Sequence, residues 1–79
     1  MNIKILGPGC PKCISLEKSV RETVAKMDID AEVSKVDDIM KIMEYGIMRT
    51  PGLVIDEKVV SSGKLLSSNE IKELITQNK

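Results

Sequence analysis

Apolar and polar residues alternate in blocks that predict seven elements. Ile3-Lys4-Ile5-Leu6 reads as a short buried strand, and Gly7-Pro8-Gly9 bends the chain directly after it. Ile14 or Leu16, then Val20, Val24 and Met27, recur at spacings of three and four. Glu17, Lys18, Arg21, Glu22 and Lys26 take the other faces, which predicts an amphipathic helix from about residue 11 to residue 28. Pro11 suits the first position of that helix, where its missing N–H leaves no bond unmade.

Residues 31–36 predict a second strand. Asp37-Asp38 predicts a cap for a short helix carrying Ile39, Ile42 and Met43, stopped at Gly46. Leu53-Val54-Ile55 and Lys58-Val59-Val60 flank Asp56-Glu57, which predicts a hairpin lacking the glycine that usually marks one, with Gly63 at its end. Ser67-Ser68-Asn69-Glu70 is a capping box, and Ile71, Leu74 and Ile75 form the apolar face of a last helix. The order βαβαββα predicts an α/β fold. Its first two strands run parallel through a right-handed crossover, and its last two are antiparallel.

Composition narrows the class. Seventy-nine residues predict one domain spanning 1–79 with a compact core. That core must be aliphatic, because Tyr45 is the single aromatic residue, and the five methionines are expected to fill gaps in it. Twelve acids balance twelve bases and no basic stripe carries interleaved aromatics, so nucleic acid is not an expected partner. No apolar run is long enough to span a bilayer, so no membrane partner is expected. Met1-Asn2 leads straight into the first apolar run, which suggests a cytoplasmic protein. With no unclaimed apolar stripe in the pattern, a monomer is expected.

The chemistry centres on Cys10-Pro11-Lys12-Cys13, which holds both cysteines. As a staple it is weak: a ring this small supplies about 2 kcal/mol, against about 3 for a fifteen-residue loop. Persistent disulfides are rare in the cytosol, where such pairs tend to be transient and catalytic. With Cys10 at the N-cap, its sulfur meets unpaired N–H groups and the positive end of the helix dipole, and Lys12 adds charge. The Cys10 pKa is therefore expected at about 5–7, which makes it the exposed nucleophile. Cys13, one turn further in and facing the sheet, is the buried resolving thiol. Residues three apart on a helix have Cβ atoms about 5–6 Å apart, so slight adjustment closes a disulfide. Gly9, without a side chain, leaves the attacking sulfur open.

Thr50-Pro51 precedes the third strand. On the residues alone the bond is expected to be trans, since only about 5–6% of X–Pro bonds are cis. Two other readings of the cysteine pair stand beside redox chemistry. One is a metal or iron–sulfur module completed in a dimer, since two cysteines without histidine cannot fill a tetrahedral site. The other is a non-catalytic adaptor.

Taken together, Cys10-Pro-Lys-Cys13 after the first strand, Thr50-Pro51 before the third and the hairpin run Leu53–Gly63 resemble the thioredoxin-like superfamily, and within it the small redox-active disulfide proteins of archaea and bacteria. The resemblance covers essentially the whole chain. It implies a four-stranded sheet in the order 2-1-3-4 flanked by three helices, with the third strand antiparallel to the first. It implies a protein-disulfide oxidoreductase, a glutaredoxin-sized electron carrier with no cofactor and no metal, whose partners are protein disulfides and an unidentified reductase. Pro51 would be cis beside the cysteines, the Thr50 backbone would pair with an extended substrate, and Arg49 would stand at the rim of that groove.

The chain departs from the family pattern at two places. Gly9 stands where thioredoxins carry tryptophan, and the first strand offers no acid to take a proton from Cys13, so water or another group must do so. Glutaredoxins bind glutathione with an aromatic and basic residues around the cysteines; Tyr45 lies in another segment, so glutathione is not expected as obligate reductant. The expected reduction potential is about −200 to −270 mV, between glutaredoxins and thioredoxin.

Overall fold

A computed structural model describes residues 1–9 and 11–78. Its elements are β1 (Asn2–Leu6), α1 (Pro11–Met27), β2 (Glu32–Val36), α2 (Ile39–Glu44), β3 (Gly52–Ile55), β4 (Lys58–Ser62) and α3 (Ser68–Gln77). The sheet order is β2-β1-β3-β4, with β1 parallel to β2 and antiparallel to β3. This is the thioredoxin-like α/β arrangement that the resemblance implied.

The strand period of two sorts β1 between two layers. Ile3 and Ile5, with Leu53 and Ile55 of β3, face α1 and α3, and pack with Leu16, Val20, Ile71 and Ile75 into the main core. Leu6 and Val54 face the other way and meet Ile42 of α2. On α1 the buried phase is Cys13, Leu16, Val20 and Thr23. Leu16 rather than Ile14 therefore anchors the helix; Ile14, one residue out of phase, is exposed. Buried Thr23 satisfies its hydroxyl by donating to the Ser19 carbonyl at 2.8 Å.

On α2 only Ile42 is buried, while Ile39 and Met43 face solvent. One expectation is corrected. The methionines divide: Met1 and Met27 pack on the main core, but Met40, Met43 and Met48 are 71%, 65% and 97% exposed. An apolar surface around α2 thus exists that the residue pattern did not reveal.

The hairpin turn lacks glycine yet has the left-handed form at both central residues, Asp56 at φ 50° and Glu57 at φ 67°. Strands joined by such a turn twist correctly, but non-glycine residues need compensation. It comes from β1. Asn2 N–H donates to Asp56 Oδ1 at 2.8 Å, and Asp56 N–H donates to the Asn2 carbonyl at 2.7 Å. Lys4 Nζ lies 2.7 Å from Glu57 Oε1 and donates to the Tyr45 hydroxyl at 3.1 Å. A bulge follows in β4, where Val54 pairs with Val59 and Leu53 with Ser61, leaving Val60 to pack on the main core. At α3, the Ser67–Glu70 capping box forms in both directions.

The Lys4–Glu57 contact makes part of the stability pH-dependent. The hydrogen bond from Lys4 holds the Glu57 carboxyl below its ordinary value of 4.5, and the same partner raises the Lys4 ammonium above its own. A lowered carboxyl contributes stability that is present above 4.5 and lost as pH falls through the folded value. The raised lysine contributes stability that is present below 10.5 and lost as pH climbs past it. Urea titrations of wild type and Glu57→Gln should therefore differ most near neutrality and converge below pH 4.5. A difference that persists unchanged through the acid range would show that the pair does not couple to folding.

Candidate active site

β1 delivers the chain to the site. Leu6 ends the strand, Gly7 N–H donates to the Val36 carbonyl at 2.9 Å, and the chain turns through Pro8 and Gly9 into α1. Gly9 sits at φ 91°, a left-handed conformation that favours glycine. A Cβ there would touch nothing within 4 Å among the described residues. The left-handed backbone by itself asks for glycine at this position. Pro11 is the first residue of α1, and it and Lys12 are exposed. Cys10, the expected nucleophile, lies outside the described residues.

Cys13 lies in the first turn of α1 and is fully buried on the face that carries Leu16 and Val20. Its sulfur rests against Gly7, and Thr50 approaches the same point: a Cβ built on Gly7 would be 3.9 Å from Thr50 Cβ. The end of β1, the first turn of α1 and the segment before β3 therefore converge here. The Thr50–Pro51 peptide bond is cis, with Pro51 buried and Thr50 half-buried. The Pro51 carbonyl accepts from Gly63 N–H at 2.9 Å, which ties this segment to the end of β4.

Arg49 is exposed, and its stem lies over Gly63, where an added Cβ would come within 2.9 Å of Arg49 Cβ. Pro8, Ile39, Met43, Met48, Arg49 and Thr50 line one groove of about 420 Å³. The structure thus brings Cys13 and Thr50 together, sets Arg49 beside Thr50 and leaves Lys12 in solvent. Three contributors escaped the residue reading. Gly7 and Gly63 read there only as punctuation, and the groove methionines, Met43 and Met48, read as core fillers. A glycine directly after a buried strand and three residues before the first cysteine was the available signal for Gly7.

Comparison with known proteins gives a consistent picture. The family model described as Thioredoxin domain matches residues 1–76. A protein named thioredoxin from Methanothermobacter thermautotrophicus is 40% identical over 76 residues, covering 96% of this chain and 99% of that protein. Another of the same name, from Methanocaldococcus jannaschii, is 44% identical over 71 residues, covering 90% of this chain and 81% of its own.

Proposed function

Since the chain belongs to the thioredoxin domain family and is by class a thiol–disulfide oxidoreductase, we propose that it reduces disulfides of protein partners through a reversible Cys10–Cys13 pair. The observation that carries this reading is the position of Cys13, sealed in the first turn of α1 against β1 with Thr50 alongside. A thiol so placed cannot meet a protein disulfide directly. It can act on a partner sulfur held one turn ahead of it, which is where the sequence puts Cys10.

The steps follow from thiolate chemistry. The Cys10 thiolate attacks one sulfur of the substrate disulfide. A Cys10–substrate bond forms, the substrate S–S bond breaks, and the first substrate thiolate leaves and takes a proton from water. Cys13 loses its proton to water or a neighbouring group and attacks the Cys10 sulfur. The Cys10–Cys13 bond forms and the second substrate thiolate departs. Two electrons have passed from the dithiol to the substrate, and a reductase returns them.

The dipole at the start of α1 and Lys12 favour the Cys10 thiolate. The Thr50 backbone pairs with the extended substrate, with Arg49 at the rim, and the neighbouring apolar groove accepts aliphatic side chains flanking the disulfide. We read residues 1–79 as one domain, working as a cytoplasmic monomer. Among the described residues no helix is long and apolar enough to cross a membrane.

The test is reduction of insulin disulfides with dithiothreitol as electron source. Wild type should accelerate precipitation of the insulin B chain, and Cys10→Ser should show the uncatalysed rate. Activity that survives Cys10→Ser would overturn the proposal.

A further inference from the structure

We infer that Gly7 is a positioning residue for the resolving sulfur: the missing side chain at the end of β1 is the seat in which Cys13 Sγ lies. The inference rests on the dithiol reading above for its chemistry, though not for its geometry. Two reasons can demand glycine, and only one applies here. Gly9, Gly46 and Gly63 have left-handed φ values, whereas Gly7 does not, so conformational freedom is not what requires glycine at position 7. Space is. A methyl built on Gly7 would overlap Cys13 Sγ and lie 2.9 Å from Cys13 Cβ, closer than real Cβ atoms approach one another.

Neither side of this contact can yield easily. Gly7 is buried and held by its N–H bond to the Val36 carbonyl. Cys13 Cβ is fixed by α1, which is anchored through Leu16 and Val20 in the main core. Gly52 shows the contrast. A Cβ there would meet the tip of the Ile47 side chain at 2.6 Å, which can rotate away. The residue that excludes a side chain at position 7 is Cys13 itself.

The consequence falls on one step. Attack by Cys10 on a substrate disulfide does not involve the Cys13 sulfur. Closure does: the Cys13 thiolate must align with the Cys10–substrate bond, form Cys10–Cys13 and expel the substrate thiolate, which collects a proton from water. A methyl at position 7 moves or rotates Sγ and so slows closure while sparing attack. A merely structural glycine would not separate these rates.

The experiment uses Gly7→Ala with Ellman's reagent, a small aromatic disulfide whose two halves leave in sequence. The first thionitrobenzoate reports attack and the second reports closure. The expected result is a first release within about twofold of wild type and a second slowed at least about tenfold, the scale on which misplaced reacting groups lose rate. Two unchanged rates, or two rates lowered equally, would overturn the inference.

A stability cycle tests the contact independently of the chemistry. Gly7→Ala should shift the unfolding equilibrium by about tenfold or more in wild type, and by clearly less with Cys13→Ala, which removes the sulfur overlap and leaves the Cβ approach. Equal shifts in both backgrounds would refute the seat. If Gly7→Ala fails to fold and Gly7→Ala/Cys13→Ala folds, the seat is supported; if neither folds, something other than the sulfur rejects the methyl and the inference falls. A wild-type protein that releases no second thionitrobenzoate would count against the dithiol function instead, while the cycle would still decide the contact.

Discussion

Cys13→Ser will turn a catalyst into a trap. The substitution exchanges sulfur for oxygen at a fully buried position, so the first turn of α1 keeps its packing. Cys10 still attacks, but the mixed disulfide then has no neighbouring sulfur to release it and must wait for a thiol from solution. Neighbouring groups in well-aligned intramolecular reactions act at effective concentrations far above any external thiol, so turnover should drop at least about a hundredfold. Incubated with cell extract, the variant should come away joined to partner proteins through Cys10, and reducing agent should free them. Recovery of unmodified protein alone, with turnover intact, would remove Cys13 from the mechanism.

Ile5→Ala should bring the fold close to its limit. Ile5 is fully buried in β1, where it lies opposite Lys35 of β2 and Leu53 of β3. Its side chain fills the main core beneath α1 and α3. Truncating such a side chain typically costs about 2–5 kcal/mol, from lost burial and from the cavity left behind. Domains have only about 0.05–0.15 kcal/mol of stability per residue, so a chain of this length has little to spare. Val59→Ala, at a 40% exposed site on β4, should stay within about 0.5 kcal/mol of wild type. Urea unfolding of the two variants provides the comparison, and equal losses would contradict the assignment of the core.

Elements governed by local chemistry were legible in the sequence. Pro11 marked the start of α1, the three-and-four spacing of Leu16 and Val20 marked its buried face, and Ser67 with Glu70 marked the start of α3. The strand order was carried by the resemblance, because alternation along β1 says which faces are apolar but not which strand lies beside it. The turn at Asp56-Glu57 was legible as a turn but not in its form. Its left-handed residues depend on Asn2 and Lys4, more than fifty positions away in the chain.

The methionines misled by type: Met40 and Met43 sit on α2, a helix too short for periodicity to tell a face packed on the sheet from one left in solvent, and Met48 lies beyond it in a segment with no regular period. In the site, Cys13 was legible as buried from its place in the helix. The contact between Gly7 and Cys13 was not, because a glycine beside a proline reads as a bend until the opposing sulfur is in view.

The mechanism depends on Cys10 being the sulfur that ionises first, and the most direct measurement is its alkylation rate as a function of pH, followed by mass spectrometry of each cysteine. Cys10 should react along a titration curve centred at about 5–7, with Cys13 lagging at every pH below neutrality. A Cys10 curve centred at about 8.5, where an unperturbed thiol titrates, or a Cys13 that reacts first, would contradict it.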